Sequence, residues 1–176
     1  SRYDLGTLQT SQGIAAGIEN TNYKLSLKKG DDLHAYFLTI FEHLTEAELN
    51  FFIPLLHHLD QKRCKVAGPK SQISGDFIEF VQDKPAAIFE CLTGGHIEHV
   101  DTQHCENIAS ELARIHMAVA DFPMNHENPR GYYWLQKQIQ KAELTIKDND
   151  QSILESHLQQ AQASWKHWQT LDLPRG

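Results

Sequence analysis

The stretch Ala87-Ile88-Phe89-Glu90-Cys91-Leu92-Thr93-Gly94-Gly95 divides the chain into two unlike parts. Its first residues are short and apolar, the pattern of a buried strand. Its last two are glycines, which free the backbone to change direction. Upstream, apolar and polar residues alternate as in strands; downstream, apolar residues recur every three or four positions as in helices. A strand that crosses a cleft between two lobes can offer its backbone carbonyl and N–H groups to the edge of a flat heterocycle. The plainer reading is a buried strand closed by a glycine turn.

Working upstream, Gln12 to Ala16 and Asn22 to Lys28 are candidate strands, Lys29-Gly30-Asp31-Asp32 is a tight turn, and Leu33 to Glu42 is a third strand. Thr45-x-x-Glu48 is a capping box, and Leu44 can staple onto Leu49, so a helix starts here. Leu49, Phe52, Ile53, Leu56 and Leu59 keep helical spacing. Pro54 lies inside that pattern and removes a backbone donor, which predicts a kink or an interruption. Ile78 and Phe80 belong to a further strand, Gln82-Asp83-Lys84-Pro85 reverses the chain, and Ala86 to Leu92 completes an antiparallel sheet of about five strands.

Downstream, Ile108, Leu112, Ile115 and Val119 space one helix behind the cap candidates Asp101 and Thr102. Leu135, Ile139, Ala142 and Ile146 space a second, and Leu154, Leu158, Ala161, Trp165 and Trp168 a third. The fold class is therefore α+β. Residues 1–92 form a sheet-containing lobe, 93–95 a glycine hinge, and 96–176 the first helices of a helical lobe.

The bulk properties fit this division. A chain of 176 residues, 40% hydrophobic and 22% charged, can bury a core without metals or disulfides. Sixteen basic against 23 acidic residues leave a net charge of −7, which argues against a nucleic-acid partner. Cys64, Cys91 and Cys105 are odd in number and form no C-x-x-C pair, which fits a reducing, cytoplasmic setting. No apolar run reaches membrane-spanning length, so no membrane partner is expected. The first residue is not Met, which points to residues upstream.

Gly13-Ile14-Ala15-Ala16-Gly17-Ile18-Glu19-Asn20-Thr21-Asn22-Tyr23 joins the first two strands through a turn of small and polar residues. Glycines in such a turn let backbone N–H groups approach a phosphate chain, although many ordinary hairpins share the pattern. His96, His99, His104 and Cys105 are close in sequence, but a single thiolate speaks against structural zinc. His116 ends an apolar helical stripe and reads as a packed or capping residue. Trp165 and Trp168 read as core, or as a self-association surface if the lobe that covers them is missing.

Taken in order, these pieces resemble the bacterial homoserine kinases of the aminoglycoside/choline phosphotransferase superfamily. The resemblance runs through Gly13 to Tyr23, Phe37-Leu38-Thr39-Ile40-Phe41-Glu42, Asn50-Phe51-Phe52 to Leu59, Lys84-Pro85-Ala86-Ala87 and Leu92-Thr93-Gly94-Gly95. It continues through His104-Cys105, Leu112-Ala113-Arg114-Ile115-His116-Met117, Asp121-Phe122-Pro123, Pro129-Arg130-Gly131 and Leu173-Pro174-Arg175-Gly176.

The resemblance implies a protein-kinase-like fold that uses ATP and Mg²⁺ to phosphorylate the hydroxyl of homoserine, a step toward threonine. Choline, a methylthioribose-like sugar or an aminoglycoside are alternative acceptors, and a non-catalytic nucleotide-binding or interaction domain is an alternative of another class. It places Gly17, Ile18, Asn20, Thr21 and Asn22 at the phosphates. Thr39 falls on the cleft wall, where protein kinases carry a lysine, and Glu90, Cys91 and Leu92 lie at the adenine. In that family a loop of the form H-x-D-x-x-x-x-N follows the L-P-R-G segment, with a magnesium-binding Asp beyond it. Those positions would fall past Gly176, so no catalytic or metal residue is assigned within the chain. The 176 residues are expected to be an inactive first half of a longer enzyme.

Overall fold

The computed structural model of the chain describes residues 2–15, 18–95, 97–126, 128–143 and 148–171. Three long strands open it: β1 (Thr7–Ile14), β2 (Asn20–Lys29) and β3 (Asp32–Phe41). Helix α1 (Glu46–Gln61), the two-residue strand β4 (Pro69–Lys70), β5 (Glu79–Val81) and β6 (Lys84–Glu90) follow. Helix α2 (Thr102–Ala118) runs into a 3-10 turn at Val119–Asp121, and α3 (Tyr132–Glu143) and α4 (Asp148–Thr170) complete the order.

The strands form one antiparallel sheet in the order β1-β2-β3-β6-β4, with β5 also paired to β6. The sheet thus has six strands rather than the five expected. The addition is β4, which is two residues long and begins with proline, a residue confined to strand starts and sheet edges. Such a segment leaves no alternation to read. The turn expected at Gln82 to Pro85 is tighter than its sequence suggested: Val81 pairs with Lys84, leaving Gln82 and Asp83 at φ +50° and +63°. Positive φ at both central residues is the hairpin turn whose twist matches that of the strands.

Helix α1 begins as its sequence dictates. The Thr45 hydroxyl accepts the Glu48 N–H, and the Glu48 carboxylate accepts the Thr45 N–H at 2.8 Å. Pro54 does not interrupt it. The carbonyl left without a helical partner belongs to Asn50, an exposed residue whose oxygen can take water instead. At its other end α1 is tied to the 3-10 turn: His58 Nε2–H donates to the Ala118 carbonyl at 2.9 Å, and Lys62 donates to Asp121 at 2.6 Å. The Lys62 ammonium holds the Asp121 carboxyl below the usual carboxylate range. Phe122 packs edge-to-face on Phe51 beside them.

The sheet is covered on both faces, which explains why Ala86 to Phe89 is an unbroken buried run. On one face Phe41, Ala87 and Phe89 pack with Leu49 and Ile53 of α1. On the other Leu25, Leu27 and Ile88 are covered by Tyr3 and Leu5 of the chain's first residues. That amino-terminal strap is pinned by Arg2 to Glu79 at 2.7 Å and by Lys29 to Asp4 at 2.9 Å. Burial, with the charge of Glu79 added, pushes the Tyr3 hydroxyl up to about 12. Gly6 is required where the strap turns into β1: at φ +99° a Cβ would lie 2.3 Å from the Lys28 carbonyl oxygen.

By packing, the chain forms two compact units that divide between Met124 and Asn125, so α2 goes with the sheet rather than with the helices after it. The N-cap expected for α2 is present, with Asp101 accepting the His104 N–H at 2.9 Å. His116 is exposed in its last turn, where a histidine suits the helix terminus. In the second unit Tyr132 stacks on Trp165 at 6.2 Å, Ile139 is buried, and Trp168 is exposed. Ile146 lies outside the described residues.

Candidate functional site

Strand alternation decides which predicted residues share a face. Asn22 pairs with Thr39, and Thr39 with Ala87. Asn20 pairs with Phe41 on the same side. Phe41 and Ala87 pack against α1, so Asn20, Asn22 and Thr39 line the α1 face of the sheet. There the Thr39 hydroxyl donates to Asn22 Oδ1 at 2.8 Å. That bond orients the amide: its oxygen is occupied and its NH₂ group turns toward Asn20, whose carbonyl it meets at 3.4 Å. At this length the Asn20 contact is weak. The result is a half-buried pair of neutral groups presenting N–H donors next to the β1–β2 turn.

Thr21 is one residue away and faces the other side, in line with Ile40 and Ala86. Its hydroxyl donates to Glu42 Oε1 at 2.7 Å, and the Lys84 ammonium donates to Glu42 Oε2. Those two bonds, Lys84 first, hold the Glu42 carboxyl below the usual range. Neither Glu42 nor Lys84 was expected at the site from sequence. Finding them needs the β3–β6 register, which joins residues some forty positions apart and is set by tertiary pairing. Of the remaining turn residues, Ile18 is almost fully exposed, and Gly17 lies outside the described residues.

At the end of β6 the Glu90 N–H donates to the Gly68 carbonyl at 3.0 Å and the Cys91 N–H to the Ala35 carbonyl at 3.3 Å. The Glu90 carboxylate pairs with Lys70 at 2.7 Å. These bonds fix the strand end and leave the Leu92 N–H without a protein acceptor among the described residues. Leu92 itself is half-exposed. The predicted residues thus fall into three places: a polar pair facing α1, a hydroxyl facing away from it, and a strand end with a spare donor.

A groove of about 320 Å³ runs between the first half of α1 and residues 75–80, lined by Glu46, Asn50, Ile53, Asp76 and Phe77 among others. None of the predicted site residues lines it. Among the described residues no group of three or more His, Cys, Asp and Glu side chains could hold a metal ion, and no helix is long and apolar enough to cross a membrane.

Comparison with known proteins gives this arrangement its context. The chain is 36% identical over 158 residues to the homoserine kinase of Neisseria meningitidis serogroup B, covering 90% of the chain and 50% of that protein. It is 33% identical over 174 residues to the homoserine kinase of Paraburkholderia xenovorans, covering 99% and 51%. The chain therefore spans about half the length of the curated relatives it matches.

Among solved structures, amicoumacin kinase hAmiN in complex with AMP-PNP, Ca²⁺ and Ami superposes with a TM-score of 0.66 at 19% identity, covering 98% of this chain and 55% of that one. An aminoglycoside phosphotransferase from Alicyclobacillus acidocaldarius superposes at 0.58 and 18% identity, covering 88% and 46%. These likenesses establish a protein-kinase-like fold. The sequence model of the phosphotransferase enzyme family matches residues 10–176, nearly the whole chain, and the chain belongs to that family.

Proposed function

We propose that the chain is the nucleotide-binding part of a cytoplasmic, ATP-dependent homoserine kinase on the route to threonine. The observation that carries this reading is the 33–36% identity to homoserine kinases across 90% or more of the chain. ATP supplies the phosphoryl group that is moved to the homoserine hydroxyl. The donors of this chain suit such a ligand. Asn22, oriented by Thr39, offers N–H groups to phosphate oxygens beside the turn of Gly17, Ile18 and Asn20, and the Leu92 N–H suits the edge of adenine.

A neutral Thr–Asn pair stands where protein kinases use a lysine. It offers hydrogen bonds without charge, so phosphate anchoring leans on the turn backbone and on residues elsewhere in the enzyme. We place the Mg²⁺ ligands beyond residue 176. Exposed Trp165 and Trp168 of α4 support self-association of the isolated chain.

The test is ADP release by the full-length protein with homoserine, choline, methylthioribose and an aminoglycoside as acceptors. Homoserine is expected to give the highest kcat/KM, and a higher value with another acceptor would overturn the assignment. The 176-residue chain alone is expected to release no ADP.

A further inference from the structure

We propose that Glu42 is a positioning residue that clamps the foot of the β1–β2 turn by holding Thr21 to Lys84 across three strands. Its consequence for nucleotide binding rests on the kinase reading above; the clamp itself rests on geometry. Thr21 is the second residue of β2 and so lies at the first paired rungs after the turn. Lys84 opens β6, and Glu42 directly follows β3, which lies between β2 and β6 in the sheet. One carboxylate therefore ties the two flanking strands together, one oxygen to each.

Two features suit this arrangement to a phosphate site rather than to strand pairing alone. First, Thr21 lies between Asn20 and Asn22 in sequence, so any shift of its backbone moves both cleft-facing side chains. At a strand end, where ladder bonds fray, a charge-assisted hydrogen bond is the firmer tether. Second, a carboxylate so near a triphosphate would repel it unless neutralised or turned away. Lys84 neutralises Glu42, and the clamp sits on the face opposite Asn22 and Thr39. Thr21 on this view serves through its bond to Glu42 and does not touch the nucleotide.

The test uses the full-length protein with Glu42→Gln, Thr21→Val and Thr21→Ser. Glu42→Gln removes the negative charge that pairs with Lys84, Thr21→Val removes the hydroxyl at constant shape, and Thr21→Ser keeps it. Amide hydrogen exchange at residues 18–22 is expected to quicken about tenfold in the Gln and Val variants, the size of one lost charge-assisted bond. KM for ATP should rise about tenfold with kcat within about twofold, and the Ser variant should restore both.

Unchanged exchange in both variants, or a Ser variant as impaired as Val, would overturn the clamp, and unchanged KM alongside faster exchange would overturn its consequence for nucleotide binding. If the wild-type protein turns over no acceptor with ATP, the kinase reading falls, and the exchange result still decides whether Glu42 holds the turn.

Discussion

The two faces of the β2–β3–β6 sheet are built on different physics. The face toward α1 packs Phe41, Ala87 and Phe89 against Leu49 and Ile53 and carries the uncharged Asn22–Thr39 pair on the rung of Ala87, toward the β1–β2 turn. The opposite face is apolar under the amino-terminal strap and ends in the ionic Thr21–Glu42–Lys84 cluster. The Asn22–Thr39 pair itself is uncharged, and the paired charges of Glu42 and Lys84 lie behind it on the opposite face. The difference teaches that the site is made by a division of labour between faces, in which one presents donors and the other holds their backbone in place.

The largest expected effect tests whether the α1 face is the foundation of the unit. Leu49 is fully buried, and Leu49→Ala should cost about 2–5 kcal/mol in denaturant unfolding, since a cavity is added to the lost transfer energy. Next comes the strap. Gly6→Ala places a methyl against the Lys28 carbonyl at a positive φ and should cost about 1–3 kcal/mol. A loss equal to that of Leu49→Ala would mean that both faces carry the core equally.

Thr39→Val frees Asn22 Oδ1 and lets the amide turn, so AMP-PNP affinity should fall roughly tenfold by calorimetry, with thermal stability little changed. The smallest effect is electrostatic. The folded-state pKa of Glu42 is lowered, so its contribution is present above the unfolded carboxylate value and is lost as pH falls through the folded one. Acid titration below about pH 5 should therefore show a shallower stability loss in Glu42→Gln than in the wild type. Identical acid slopes would show that the cluster adds nothing to folding.

Much of the fold was legible because it is written locally. The Thr45–Glu48 capping box, the Asp101 cap and the alternation of β2 and β3 are short-range signals, and each stands where the sequence placed it. Pro54 misled in part, because a helix tolerates an internal proline when the orphaned carbonyl can reach water. β4 was missed because two residues carry no period. Of the candidate site, strand alternation puts Asn20 and Asn22 on one face, while their sharing it with Thr39 and the opposite orientation of Thr21 required a register the sequence alone does not state. Glu42 and Lys84 were illegible for a stronger reason: they are ordinary charged residues until β3 and β6 bring them together.

The most direct test of this account is to titrate AMP-PNP into the isotope-labelled full-length protein and map the amide chemical shifts. The account predicts the largest changes at residues 18–22, at Thr39 and at Glu90 to Leu92, with little change along the groove between Glu46 and Phe80. Changes concentrated in that groove, or none at Asn22, Thr39 and Leu92, would contradict it.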